Sequence, residues 1–358
     1  MSAVRRMQHL FLTFSLVVLA LVTIFIVQST LQNVQLTRSV DTDDATEIDN
    51  ITRKVQLKHH LNTSHFTTCS HNIVISDEAI KEVFSRWRTT EPRDNILKVV
   101  SAGRMGNEMF EYASLLGIAF RTGKHPLFTM SSKSPLTRLF NISFIGNVKN
   151  TTWAYRREHL LSTYDCKLNQ LPYGNVKIGT FLQSWKYFYY MKSQIIKTFA
   201  FTQKYSNLSA QCFAKYTGQH KNRPVIGLHV RRTDMIKFKF KGFEVAPLSY
   251  IRKAINYMKA KFPNPIFLIA TDDKEWCRAN LTSSDIILME NTDPYLDFAT
   301  LTLCDHTIMT VGTFGWWAAF LTNGHTVYFK DYPRKGSRLA AAFTKEDFFM
   351  PDWVPLGA

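Results

Sequence analysis

The chain has 358 residues, 45% of them hydrophobic and 20% charged, a balance that excludes intrinsic disorder and leaves room for one large two-lobed domain or two medium ones. Lys and Arg number 44 against 28 Asp and Glu, giving a formal net charge of +16 that favours anionic ligands or surfaces. Nucleic acid is not expected as a partner, because there is no Cys/His zinc spacing, no basic zipper and no low-complexity basic arm.

Residues 1–9 form a short tail containing Arg5 and Arg6. Leu10 to Val27 is then a run of 18 residues without a charge. A helix needs about 17–25 residues to span a bilayer, so residues 10–30 are expected to be a transmembrane signal anchor. The positive flank on its amino side places the tail in the cytoplasm and the rest of the chain across the membrane. A cleaved signal peptide is the other reading. Its apolar region usually runs only about 7–15 residues, and Gln28, Ser29 and Thr30 make a poor cleavage site. Six N-x-[ST] triplets, at Asn50, Asn62, Asn141, Asn150, Asn207 and Asn280, all follow the apolar run and agree with a secretory route. The five cysteines (Cys69, Cys166, Cys212, Cys277, Cys304) follow it too, in no C-x-x-C pair, so a structural zinc is not expected.

Residues 31–94 are polar and acidic, with Asp41, Asp43, Asp44, Glu47 and Asp49 close together, and read as a stem. Asp41-Thr42-Asp43 matches a metal-binding D-x-D form but has no strand before it, so it is assigned to the stem. From residue 95 onwards, apolar runs alternate with amphipathic stretches. Strands are expected over Ile96–Val100, Val225–Val230, Ile266–Ala270, Thr307–Val311 and Val327–Phe329. Helices are expected over about Asn107–Arg121, Leu248–Lys261 and Phe314–Leu321. This grammar predicts parallel α/β sheets in two Rossmann-like lobes, roughly 95–221 and 222–358, with a cleft between them.

Ligands in such sheets bind beyond the carboxyl ends of strands. Gly103-Arg104-Met105-Gly106-Asn107 sits at one such end, where glycines and a helix start suit a phosphate, although a plain turn has the same pattern. His229-Val230-Arg231-Arg232-Thr233-Asp234 sits at another. Its arginines suit a diphosphate, Asp234 is placed to hold a guanidinium, and a surface salt-bridge cluster is the other reading. Thr310 to Trp317 holds Thr313 as an N-cap candidate, with Phe314, Trp316 and Trp317 as core candidates. Asp272 closes a further strand, either to meet a nucleoside or to cap a helix.

These segments carry a resemblance. Gly103–Asn107 with Phe110-Glu111-Tyr112, Ser184-Trp185-Lys186-Tyr187-Phe188 and His229–Asp234 resemble the galactoside α-1,2-fucosyltransferases of glycosyltransferase family 11. Glu275-Trp276-Cys277, His306–Leu321, Ala341-Ala342-Phe343 and Pro351-Asp352-Trp353-Val354 continue the likeness in order over roughly residues 96–355. The H-x-R-R-x-D block is shared with α-1,6- and peptide O-fucosyltransferases, whereas T-F-G-W-W-A-A is more specific to the α-1,2 group.

The resemblance implies a GT-B-like fold in a Golgi membrane, single-pass type II, with the catalytic domain lumenal. It implies inverting transfer from GDP-fucose to the 2-hydroxyl of a terminal galactose on a glycan, with no cofactor and no metal. Another fucosyl linkage, or an inactive glycan-binding homologue, is the alternative. Arg231 and Arg232 would grip the diphosphate with His229 beside them, and Asp272 would meet the nucleoside. Gly103, Arg104, Gly106, Asn107, Thr313, Phe314 and Gly315 would line the donor site. Asp234, with Glu244 as the alternative, is the candidate general base. Glu108 stands where the family usually has Gln, and Thr233 where it usually has Gly. The family pattern also implies a disulfide between Cys277 and Cys304.

Overall fold

The computed structural model describes residues 74–91, 94–148, 151–179 and 181–358. The expected anchor over 10–30, Asp41 and Asp43, and the sequons at Asn50, Asn62 and Asn150 lie outside the described residues. Among those described, no helix is long and apolar enough to cross a membrane.

Helix α1 (Asp77–Thr89) opens the folded unit. The Ser76 side chain accepts the Ala79 N–H, and Asp77 and Glu78 lie at the positive end of the helix dipole. Ile80, Phe84 and Trp87 fall on one face and are buried, so this stretch is core rather than part of an irregular stem. The polar residues that outnumber the apolar ones hid the helix in the composition; the spacing of four and three between Ile80, Phe84 and Trp87 is the signal.

The first sheet comprises β1 (Ile96–Val100), β2 (His125–Thr129), β3 (Ala154–Arg157) and β4 (Val176–Gly179), in the order β2-β1-β4-β3. All pairs are parallel, with Ile96 opposite His125 and Leu97 opposite Val176. Helix α2 (Met105–Thr122) crosses from β1 to β2 and stops at Gly123, which takes the left-handed conformation at φ 64°. Helix α3 (Gln203–Thr217) leads to the second sheet.

That sheet is built from β5 (Val225–Val230), β6 (Ile266–Thr271), β7 (Ile286–Leu288), β8 (His306–Met309), β9 (Thr326–Phe329) and β10 (Val354–Leu356). Its order is β10-β9-β8-β5-β6-β7, again all parallel. The helices used below are α4 (Thr233–Lys237), α5 (Leu248–Lys261), α6 (Lys274–Asn280), α7 (Pro294–Leu301) and α8 (Thr313–Thr322).

Strand β5 is buried along its whole length, and its alternation sorts two cores. Ile226, Leu228 and Val230 pack with Tyr250, Ile251 and Met258 of α5. The opposite face belongs to a larger cluster that continues through α8 and α2 into the first sheet. Phe110 of α2 lies 4.4 Å from the Trp316 ring and 5.1 Å from Trp317, both indoles fully buried. Burying each such aromatic stabilises by about 1.5–3 kcal/mol, so this cluster helps hold the two lobes together.

The chain also crosses back. Residues 343–350 dock on the first lobe, where Ser184 and the Trp185 indole donate to the Asp347 and Glu346 carbonyls and Lys186 pairs with Asp347 at 2.6 Å. A single cut at 221/222 therefore does not separate the lobes.

Cys277 and Cys304 are both free thiols, contrary to the implied disulfide. They lie on opposite faces of the second sheet: Cys277 of α6 packs in the α5-side core, while Cys304 packs in the other core, beneath Gly227. Cys212 is also free, whereas Cys166 is disulfide-bonded. Non-reducing peptide mapping is expected to recover Cys277 and Cys304 unmodified after alkylation of the unfolded chain. A cross-linked peptide joining them would contradict this packing.

Candidate active site

The second sheet reverses its strand order between β5 and β8, and β1 and β4 are the central pair of the first sheet. The turns that follow these four strands line a cavity of about 430 Å³, within the usual range for a small-ligand site.

Gly103 at φ 86° turns the chain from β1 into α2. Glu111, in the second turn of α2, accepts the Ala102 N–H at 3.0 Å and pins the Gly103 turn from below. Burial, aided by Glu108 and Glu158 and opposed by the Ala102 amide, pushes the Glu111 carboxyl up to about 9, so it is a neutral acid at pH 7. Glu108 is buried against the Ser134 hydroxyl, off the cleft.

The amino ends of α2 and α8 abut. A Cβ on Gly106 would meet Thr313 Oγ1 at 2.6 Å and the Thr313 carbonyl carbon at 2.7 Å. Asn107 Oδ1 accepts from Thr313 Oγ1 at 3.0 Å and from Gln183 Nε2 at 2.9 Å, and Gln183 Oε1 accepts the Ser162 hydroxyl. This polar string ties both lobes across the cleft floor. Gly312 at φ 89° is the N-cap of α8, not Thr313 as its sequence position suggested, and neither helix start carries a side-chain cap. Two sets of uncapped amide N–H groups therefore lie at the cleft, a setting that favours an anion.

Arg231 lies across Gly312, whose missing side chain makes room for its Nη1. Its Nε and Nη2 donate to the two oxygens of Asp234 at 3.0 and 2.7 Å, leaving Nη1 for a ligand. Arg104, exposed on the first lobe, adds a third bond to Asp234 at 3.0 Å. Burial alone would raise the Asp234 carboxyl, but Arg231 and Arg104 outweigh it and hold it below the usual range. The brace is thus complete at neutral pH and is lost only as pH falls below the ordinary aspartate value of about 4. Asp234 is the one carboxylate lining the cleft among the described residues. Ionised and shared by two guanidiniums, it orients Arg231 and does not fit the role of general base.

His229 is buried under the first turn of α8, stacked 5.1 Å from Phe314 and in close approach to Gly315. Burial, with Arg231 adding and Asp234 opposing, pushes it down to about 3. It is a neutral imidazole whose Nδ1 has no partner among the described residues.

Arg232 does not join its neighbour. Successive residues leaving a strand point to opposite sides, and Arg232 stacks 3.8 Å over Trp276 while its Nε bonds Asp273 at 3.1 Å. It lines a second cavity with Glu244, which pairs with Lys239 at 3.5 Å. The expected two-arginine clamp is therefore a single arginine, and Glu244 lies outside the cleft. Asp272 is also otherwise engaged, accepting the Arg232 and Thr233 amides and the Thr233 hydroxyl, so it braces the β5–α4 turn rather than facing a nucleoside.

The family model for glycosyl transferase family 11 matches residues 54–357. The chain belongs to glycosyl transferase family 11. Within that family it is 31% identical over 279 residues to a Bos taurus galactoside 2-alpha-L-fucosyltransferase, covering 75% of each chain. It is 32% identical over 272 residues to galactoside alpha-(1,2)-fucosyltransferase 2 of Rattus norvegicus, covering 72% of this chain and 76% of that one. Solved structures overlap more loosely. A NodZ alpha-1,6-fucosyltransferase soaked with GDP-fucose gives a TM-score of 0.40 at 14% identity, over 63% of this chain and 92% of that one. An Arabidopsis thaliana FUT1 mutant in complex with GDP gives 0.43 at 13%, over 74% and 77%.

Gly103, Arg104, Gly106, Asn107, Arg231, Asp234, Thr313 and Phe314 meet at the family 11 cleft, with His229 and Gly315 directly behind Phe314. Sequence reasoning missed Ser162, Gln183 and an aromatic wall that includes Phe181, Phe238 and Phe343. Gln183 follows a four-residue strand too short to show a period, although the adjoining Ser184–Phe188 block marks its place. Of the sequons described, Asn141 and Asn207 are exposed, while Asn280 is half-buried and its amide donates to the Trp276 carbonyl.

Proposed function

We propose that this chain transfers L-fucose from GDP-fucose, with inversion, to the 2-hydroxyl of a terminal galactose on a glycan. The observation that carries the reading is the identity above 30%, over three quarters of the chain, to enzymes named galactoside alpha-(1,2)-fucosyltransferases. The cleft suits it. A diphosphate at the abutting starts of α2 and α8 would meet uncapped amides and the free Nη1 of Arg231, which neutralise charge as GDP departs. The aromatic wall offers ring faces to a sugar, the arrangement that packs its apolar C–H surface. In the same reading, the fold is GT-B-like. Residues 10–30 anchor the chain in the Golgi membrane as a single-pass type II protein, and the catalytic unit is lumenal.

The test incubates the protein with GDP-fucose and a β-galactoside in the presence of EDTA. GDP release with a Fuc-α-1,2-Gal product is expected. A product of another linkage would overturn the acceptor assignment, and dependence on added divalent metal would overturn the charge-neutralising role given to Arg231 and the helix starts.

A further inference from the structure

Backbone strain gathers at one point of the cleft floor. Among the described residues, seven other than glycine take a positive φ, and four of these are asparagines, which tolerate the left-handed region. Of the remaining three, two meet at Gln183. Leu182, at φ 51°, precedes it in the chain, and Ser162, at φ 48°, donates its hydroxyl to Gln183 Oε1 at 2.9 Å. A buried leucine gains nothing from this conformation, so its surroundings must impose the turn.

The groups that impose it are polar and buried. Glu158 is only 3% exposed, although it follows the wholly exposed strand β3. Its Oε2 accepts the Leu182 N–H at 3.0 Å and its Oε1 the Tyr187 hydroxyl at 3.1 Å. The Leu182 carbonyl accepts the Ser114 hydroxyl of α2 and the Ser184 N–H, each at 2.9 Å. The Ser162 carbonyl accepts the Thr344 N–H. The backbone at 182 sets where the next side chain points, and that side chain is Gln183. Its Nε2 donates to Asn107 Oδ1, which also accepts from Thr313 between the starts of α2 and α8.

We infer that Glu158 is a positioning residue for transfer: by holding Leu182 in its left-handed turn, it aims Gln183 at Asn107 and so fixes the two helix starts relative to each other. A glycine at 182 would make the same turn without strain, and an apolar side chain at 158 would avoid burying a carboxyl. Both costs fall beside the one place where a side chain of fixed direction ties the lobes. The kinetic consequence rests on the fucosyltransferase reading, whereas the positioning rests on the geometry. Preorganised amides act on the transition state more than on bound donor, so the effect falls on kcat.

The test measures steady-state transfer from GDP-fucose to a β-galactoside by the full chain. Glu158→Leu and Gln183→Ala are each expected to lower kcat about tenfold, with KM for GDP-fucose within about twofold. Because both act through one side chain, the double variant is expected to be no slower than the slower single one. Glu158→Gln keeps an oxygen for the Leu182 amide and is expected to stay within about twofold of the parent. Multiplied losses in the double variant, or an equal loss in Glu158→Gln, would overturn the inference. If Glu158→Leu does not fold, Ser114→Ala takes its place, with kcat expected about threefold lower and no further loss when joined to Gln183→Ala. A parental kcat in Ser114→Ala would then overturn the inference. Hydrogen exchange reads the positioning without turnover. Glu158→Leu (or Ser114→Ala in its place) is expected to speed amide exchange over residues 107–111 as Gln183→Ala does, by about tenfold, and Glu158→Gln is not. Parental exchange there in the variant that stands for Glu158 would overturn the inference. If the parent transfers no fucose while this exchange pattern holds, the fucosyltransferase reading fails and the positioning stands.

Discussion

Arg231→Ala is expected to cut turnover about a thousandfold, on the order of 4 kcal/mol of transition-state stabilisation, with little change in melting temperature. The guanidinium is held rigidly by two bonds to Asp234 and presents Nη1 over Gly312 between two helix starts. A preorganised charge at the departing diphosphate acts on the chemical step rather than on the fold. Arg232→Ala should behave in the opposite way. It removes the stack on Trp276 and the bond to Asp273, so it is expected to lower stability by about 1–2 kcal/mol while turnover stays within about tenfold. Single-turnover rates and melting curves on both variants decide the matter. If Arg232→Ala abolishes transfer and Arg231→Ala does not, the donor lies in the second cavity and the cleft assignment is wrong.

The second large effect is expected from one methyl group. In an open helix, Gly106→Ala would stabilise by up to about 1 kcal/mol through propensity. Here the added Cβ falls 2.6–2.9 Å from Thr313 Oγ1, the Thr313 carbonyl carbon and the Phe314 nitrogen, two of them backbone atoms that cannot rotate aside. Overpacking of this kind costs about 1–3 kcal/mol, so the steric term outweighs propensity and α2 and α8 must move apart. That displacement breaks the Asn107–Thr313 bond and shifts both anion-binding ends, for which a loss of about a hundredfold in kcat/KM is expected. Unchanged kinetics in a folded variant would show that the two helix starts do not act as one site.

Much of this site was legible before any coordinates, because its parts are turns after strong strands. The limits of β1 and β5 follow from apolar runs closed by Gly, Arg or Ser, and the turns after them hold Gly103, Asn107 and Arg231. The direction of a side chain was not legible. Arg231 and Arg232 are equivalent as letters, and only the strand's alternation sends one into the cleft and the other onto Trp276. Gln183 and Ser162 were missed because short strands such as Val176–Gly179 carry too few residues to show a period. The Cys277–Cys304 pairing came from the family pattern, which does not say which face of a sheet each thiol occupies; here the two lie in different cores and are free.

The docking of residues 343–350 on the first lobe bears on how the protein is made. Synthesis runs from the amino end, so the first sheet emerges while the Trp185 indole, the Ser184 hydroxyl and the Tyr164 amide still lack the Glu346 and Asp347 partners that satisfy them. Those partners follow the groups they satisfy by 161 to 183 residues. The amino-terminal lobe must wait, incompletely satisfied, until residues 343–350 have been made, and during that interval it is a natural client for chaperones.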